Sequence, residues 1–440
     1  MKLHPKAYAA ASGFLPIPSS AGDIAEGPLA PTEPERLPTT GGEFVLSFAE
    51  ALKRVLDDVE ALGGERVPLR AGAGRVLARD LRADTALPRF DYSAMDGYAV
   101  STRDFAGAGP WQLPLRGESR AGAVPGALVP ASACRIFTGA PLPSGADAVV
   151  AQEDTRLAEG RVAFAQPPDV HQHVRRRGED LALGELALAA GSRLGAYQLG
   201  LAAALDQVDV LVARRPRVSI VCTGDELRSP GQLGGPTSVP ESNGLSVALA
   251  AERVGAYAEL APFASDDPEA TRASLTKLLG ATDLLITIGG VSVGDYDVVR
   301  PALEAAGARL DFWKVQIKPG KPLVYGRCGK TRILGLPGNP VSAQLTFALF
   351  GLPLLRALQG ELDPRPRFQT ARLLAALPQR PGRLGFYRAR CSAEGVLPLE
   401  NQASGNVASL ARADALIAVP ADSAGYAEGE WVEILKLAEL

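Results

Sequence analysis

DLLITIGG, residues 283–290, is a short apolar run closed by two glycines, the pattern of a strand that stops abruptly. RVSIVCTG (217–224), AYAELAPFA (256–264), PLVYG (322–326) and RILGL (332–336) read the same way, with another strand around FWKVQI (312–317). Helical patterns separate them at 243–253, 299–306 and 341–358. Ser265-Asp266-Asp267-Pro268-Glu269 opens a further helix, because capping side chains precede a proline in its first turn. Strands alternating with helices predict a multidomain α/β protein whose residues 215–362 form a largely parallel, doubly wound sheet.

In open α/β sheets the ligand crevice lies beyond the carboxyl ends of the strands. Five polar segments fall there: TGDEL (223–227), SDDPE (265–269), GGVSVGDYD (289–297), KPGKP (318–322) and LPGNPVS (336–342). Together they supply carboxylates, two lysines and glycine loops, the groups that phosphate and a hard divalent cation require. Gly289, Gly290 and Gly294 permit close backbone approach, and the helix that follows offers amide donors to an anion. Asp295 and Asp297 are suited to a hard cation or to orienting water, whereas Asp266 or Asp267 serves equally well as a helix cap. Lys318 and Lys321 flank Pro319-Gly320 in a stiff turn that aims two ammonium groups together. The run from Pro337 to Pro340 either shapes a pocket wall or simply starts a helix.

Working outward, residues 1–42 are rich in proline and poor in core-forming side chains, which predicts a disordered tail. Phe44, Phe48, Leu52, Val55 and Val59 mark one face of a helix within 43–62, expected to pack with a second helix at 194–205. Between them, residues 91–179 change to short β-like runs such as WQLPLRG (111–117), an inserted β module. After residue 363 short β runs return, ending in GEWVEILKL (429–437).

Composition narrows the chemistry. The 440 residues carry a formal charge of −3, with 46% hydrophobic and 22% charged residues, which fits a globular protein and argues against nucleic acid as the main partner. The three histidines and four scattered cysteines show no zinc-ligand spacing, and the thiols read as reduced and cytoplasmic. The best apolar stretch, near 199–212, is broken by Asp206 and Asp209, so no membrane span is expected. Gly329-Lys330-Thr331 imitates the end of a phosphate-binding loop, but its earlier glycine is replaced by Val324 and no helix follows.

FDYSAMDGYAV (90–100), RIFTGAPLPSGADAVV (135–150), RRGEDL (176–181), CTGDEL (222–227), GGVSVGDYD, KPGKP and LPGNPVSA occur in that order. In combination they resemble the MoeA family of molybdopterin molybdenumtransferases, whose eukaryotic relative is the gephyrin E domain. The resemblance covers residues 43–440, with Tyr92 where asparagine is usual and Asp295 where glutamate is frequent. It implies an extended connector domain (43–90 and 180–214), the inserted β domain (91–179), a molybdopterin-binding α/β domain (215–362) and a C-terminal β barrel (363–440). It implies ligation of molybdate to the dithiolene of adenylated molybdopterin, with release of AMP and a need for Mg²⁺. Carried over motif by motif, Glu226, Asp266 and Asp297 form the acidic, metal-holding part of the site. Asp96 and Thr138 join from the inserted module. Gly289, Gly290, Ser292, Gly294, Lys318, Lys321, Pro337, Gly338, Pro340 and Ser404 bind substrate. A homodimer with shared active sites is implied, with the molybdopterin adenylyltransferase and acceptor apoenzymes as further partners. A gephyrin-like scaffold without catalysis and a tungstate-using variant are the alternatives.

Overall fold

The runs read as strands pair into one six-stranded sheet. The computed structural model describes residues 45–264, 267–290 and 299–439. Strands β1 (Arg217–Cys222), β2 (Tyr257–Leu260), β3 (Leu284–Ile288), β4 (Arg309–Lys314), β5 (Pro322–Cys328) and β6 (Thr331–Leu336) lie in the order β2-β1-β3-β6-β5-β4. The first four are parallel; helix Asn243–Arg253 links β1 to β2, Pro268–Leu279 links β2 to β3, and Val299–Ala305 leads from β3 to β4. β5 and β4 run antiparallel to their neighbours, because the Gly329-Lys330 turn makes β5 and β6 a hairpin. That turn disposes of the phosphate-loop likeness: no helix follows Lys330. β3 is buried at every position, as a strand covered on both faces must be.

The long helix Pro340–Leu358 starts one residue before its predicted position and is not uniform. Residues Phe347–Gly351 form a π turn. Pro353 has no N–H for the carbonyl four residues earlier, and the widened turn absorbs that loss. Length and composition would let this helix span a bilayer, rather than the 199–212 stretch, but it is 78% buried. Phe347, Leu349, Phe350 and Leu354 are core residues beneath the sheet.

The first described helix is Phe48–Leu56, shorter than expected, and Ser47 and Glu50 close a capping box at its start. It does not pair with the helix Ala196–Ala204. Its apolar face instead meets the large aromatic core: the Phe48 ring lies 5.4 Å from Phe350 and 5.8 Å from Phe386, both edge-on. The Tyr325 hydroxyl donates to Val55 O at 3.1 Å. Helix Ala196–Ala204 belongs to a separate small core of Leu77, Leu194, Ala202, Val210 and Val212.

Within 91–179 six strands pair in the order Ala148–Ala151, Gly97–Val100, Ala133–Ile136, Trp111–Ser119, Arg161–Phe164 and Thr155–Ala158. These strands fall where the sequence shows short β-like runs. Among the described residues, the hydrogen bonds of 91–175 run only to partners within 87–181. The C-terminal strands Leu384–Cys391, Ala415–Val419, Trp431–Lys436 and Gln369–Arg372 pair in succession. A short strand, Ile317–Lys318, adds to them in parallel with Leu384 and Gly385.

Arg214 anchors the start of β3 by forking onto Asp283, at 2.7 and 2.8 Å. Burial raises the Asp283 pKa, but the Arg214 fork and the Arg217 amide overcome it and hold the carboxyl below its ordinary value. A depressed folded pKa contributes stability above the unfolded value and loses it as pH falls through the folded one. Asp283→Asn should therefore cost about 1–2 kcal/mol at neutral pH, since the half-exposed Arg214 side chain regains water when the pair is broken. The deficit should shrink as pH falls below the ordinary Asp range, where the wild-type carboxyl also protonates. Urea unfolding at neutral and acid pH checks this.

Candidate functional site

The carboxyl ends of the parallel strands are tied edge to edge. Thr223 N donates to Ile288 O at 3.0 Å, Gly289 N to Leu336 O at 3.0 Å, and Ala264 N to Cys222 O at 3.0 Å. Thr223, Gly289, Gly290 and Gly338 are thereby gathered at one spot. Gly289 holds φ +90, and a β-carbon there would stand 2.8 Å from the Thr223 hydroxyl oxygen. Only glycine fits that approach.

Helix Asn243–Arg253 closes the same spot from the side. Asn243 Nδ2 donates to Gly338 O at 2.8 Å, while its Oδ1 is buried and meets no donor. Glu241, 7% exposed, accepts from Gly244 N at 2.6 Å. Burial, followed by the neighbouring Glu241 carboxylate and its hydrogen bond, drives the Cys222 thiol far up from its ordinary pKa. This cysteine is a protonated packing group and not a nucleophile. Sequence reading passed over Asn243 and Glu241; the only signal was a polar ESNG run (241–244) entering a helix.

The KPGKP turn opens onto a second locus. A cleft of about 410 Å³ is lined by Lys318, Lys321, Asn339, Ser342, Arg383, Tyr387, Gln402 and Ser404, among others. Lys318 is carried there by the pairing of Ile317–Lys318 with the C-terminal strand, which also brings up Arg383. Leu384 N donates to Gln316 O at 3.0 Å, and Val341 N donates to Ser404 O at 3.0 Å, so both walls are fastened. The Lys318 ammonium stands 5.9 Å over the Tyr387 ring. Asn339 is the N-cap of the long helix, yet its side chain makes no capping hydrogen bond. Among the described residues the lining includes no carboxylate, and Lys318, Lys321 and Arg383 are in no ion pair. Three unneutralised cations with serine hydroxyls and side-chain amides make a receptor for a compact, multiply charged oxyanion.

The predicted residues thus divide. Lys318, Lys321 and Ser404 share the cleft, while Gly289, Gly290 and Gly338 share the strand ends; the 337–340 turn touches both, with Pro340 the first residue of its helix. Pro337 continues directly from β6 into that turn. Asp96 and Thr138 meet one another, Oδ1 accepting from Thr138 N at 2.7 Å and from its hydroxyl at 3.0 Å. The Thr138 backbone bond, then its hydroxyl, hold the Asp96 carboxyl below the usual range. No hydrogen bond among the described residues joins that pair to either locus on the α/β sheet. Glu226 lies on the exposed turn after β1, its carboxylate folded against Gly224. Asp267 is the cap of helix Pro268–Leu279, accepting from Ala270 N at 3.0 Å, which commits this carboxylate to the helix. Asp266, Ser292, Gly294 and Asp297 lie outside the described residues. Arg383, Tyr387 and Gln402 were missed by sequence reading; Asn339 and Ser342 fall within the LPGNPVS segment placed at the crevice but were not singled out.

Three family models match in succession: the MoeA N-terminal region (domain I and II) over residues 46–205, a probable molybdopterin binding domain over 219–357, and the MoeA C-terminal region (domain IV) over 370–437. A molybdopterin molybdenumtransferase 2 of Mycobacterium tuberculosis is 39% identical over 402 residues, covering 89% of this chain and 99% of that protein. A molybdopterin molybdenumtransferase of Haemophilus influenzae is 37% identical over 328 residues, covering 74% and 80%. The crystal structure of a molybdopterin biosynthesis MoeA protein from Pyrococcus horikoshii superposes with a TM-score of 0.79 at 29% identity, over 89% of this chain and all of that one. With the domain models in order and near-complete coverage of these relatives, the chain belongs to the MoeA family.

Proposed function

We propose that this protein is a molybdopterin molybdenumtransferase, which transfers molybdate to the dithiolene of adenylated molybdopterin and releases AMP. The observation that carries the reading is the cleft with Lys318, Lys321 and Arg383 on its walls and no carboxylate among its described lining residues. Molybdate is a tetrahedral dianion, and three cations with the hydroxyls of Ser342 and Ser404 offer it charge and donors at once. The adjoining strand ends suit the nucleotide-bearing pterin, because ligands of open α/β sheets bind beyond the carboxyl ends of the strands. Holding both substrates across the 337–340 turn converts a bimolecular encounter into an intramolecular one.

Mg²⁺ fits the donor chemistry through Glu226, Asp266 and Asp297. It keeps most of its shell as water and substrate phosphate, so one or two carboxylates suffice. The Glu226 carboxylate is an exposed hard-oxygen donor without a hydrogen-bond or ion-pair partner among the described residues. When bound, the ion would neutralise phosphate charge; Glu226 would hold it, and the cleft lysines would orient the oxyanion. Release of AMP from adenylated molybdopterin and Mg²⁺, with and without molybdate, tests the assignment. Oxyanion-dependent release is expected, and a rate indifferent to molybdate would refute it. Replacing molybdate by tungstate in the same assay distinguishes the two metal oxyanions.

The four-domain division 43–90 with 180–214, 91–179, 215–362 and 363–440, the last a barrel, belongs to the same reading. So does a homodimer in which Asp96 and Thr138 of one subunit complete the site of the other. It is supported by the absence of hydrogen bonds between that module and the α/β sheet among the described residues. Asp96→Asn and Lys318→Ala homodimers should both be inactive. Co-expressed in equal amounts they should pair randomly, giving about half heterodimers with one intact site each, so roughly a quarter of normal activity returns. Verified heterodimers without activity would put both residues in one subunit's site.

A further inference from the structure

Among the described residues, the largest fully buried side chain is a cation: Arg388, at 0% exposure, in the strand Leu384–Cys391. Its surroundings are unusual for a buried charge. Nη2 donates to Asn401 O at 3.1 Å and Ala403 O at 3.2 Å, while Nε and Nη1 meet no acceptor. Among the described residues no carboxylate is paired with it, and burial alone lowers its pKa. Taking a guanidinium out of water without a counter-charge is costly, so stability alone is a poor reason to keep one there.

The segment that wraps this arginine is the back wall of the oxyanion cleft. Gln402 clamps the Arg388 backbone at both ends, its Oε1 accepting from Arg388 N at 3.0 Å and its Nε2 donating to Arg388 O at 2.9 Å. Gln402, Ala403 and Ser404 face the cleft directly. The guanidinium therefore stands one residue layer behind the lining, bonded to the carbonyl of Ala403, in a medium where charge is poorly screened.

We propose that Arg388 is a positioning residue for oxyanion binding: its buried, unneutralised charge strengthens the cleft's hold on a dianion that it does not touch. Lys318, Lys321 and Arg383 are the groups that face the anion, and Arg388 adds potential from within the protein. The counter-charge that the protein withholds from Arg388 is supplied by the bound oxyanion. The proposal rests on the reading of this cleft as the molybdate site.

Equilibrium dialysis of the full chain against molybdate alone, without pterin, tests it with two variants. Arg388→Gln keeps an amide donor for the 401 and 403 carbonyls and removes the charge; Arg388→Lys keeps the charge and loses the fork. Arg388→Gln is expected to bind molybdate about tenfold more weakly or worse, and Arg388→Lys within about fivefold of wild type, as a charge-driven effect requires. Affinity for adenylated molybdopterin should stay within about twofold for both, a split that general damage to the fold would not give. Should Arg388→Gln fail to fold, Arg388→Lys decides alone: binding within about fivefold supports the proposal and a larger loss overturns it. Arg388→Gln binding like wild type would also overturn it. A wild-type protein that takes up no molybdate would strike down the reading of the cleft itself, and this proposal with it.

Discussion

Replacing Lys318 and Lys321 together by alanine is expected to leave the fold intact and to lower molybdate-dependent AMP release by at least ~10²-fold, the usual cost of removing a preorganised charge-stabilising group. Both ammonium groups reach the cleft from a turn whose backbone is held by the Ile317–Lys318 pairing and by Val315 N donating to Lys321 O at 2.9 Å. Shortening the side chains leaves those backbone bonds in place. The loss should appear mainly as weaker oxyanion binding, and the difference from wild type should narrow as salt rises, since screening shortens electrostatic reach. Arg383→Ala should behave similarly, although sequence reading gave no hint of it. Turnover near normal in the double variant would make these lysines solvated surface groups, and the oxyanion site would have to lie elsewhere.

Gly320→Val should be the most damaging single substitution in this turn. Gly320 holds φ +103, which a β-branched residue does not adopt without strain, and an added β-carbon would stand 2.5 Å from Thr346 Cγ2. Thr346 cannot give way: it is fully buried, and its hydroxyl donates to Ser342 O at 2.7 Å within the core helix. Backbone strain and overpacking together should cost about 3 kcal/mol or more. Activity should fall as well, because Lys318 and Lys321 flank the displaced residue. Gly329→Ala is the control. That glycine also has positive φ, but nothing lies within 4 Å of its built β-carbon, so the cost should be only about 1 kcal/mol. Melting temperatures of the two variants check the contrast, and equal losses would show that the Thr346 contact is unimportant.

Periodicity made the α/β sheet legible because its strands are short apolar runs and the helices between them carry caps and prolines. The strand-end rule then brought Gly289, Gly338 and the two lysines into view. It could not show Arg383, Tyr387 or Gln402. They reach the cleft through a two-residue strand, Ile317–Lys318, pairing with residues 384–385, and no local pattern encodes a contact that distant. The first helix misled for a related reason. Its apolar face was visible, but its partner was decided by which aromatic side chains, Phe350 and Phe386, the folded core presents. Asp267 was a different case: the sequence allowed either acid of the pair to cap, and the hydrogen bond to Ala270 N assigns that duty to Asp267.

The central claim is that the Lys318, Lys321 and Arg383 cleft receives the molybdate that ends up on the pterin. Its most direct measurement is a single-turnover reaction of purified protein with adenylated molybdopterin, Mg²⁺ and molybdate, counting molybdenum on the pterin and AMP released. Wild type should yield the two in equal amounts. The Lys318→Ala/Lys321→Ala variant should bind adenylated molybdopterin normally and yield neither within the same time. Equal yields of AMP and pterin-bound molybdenum from wild type and variant alike would contradict the account.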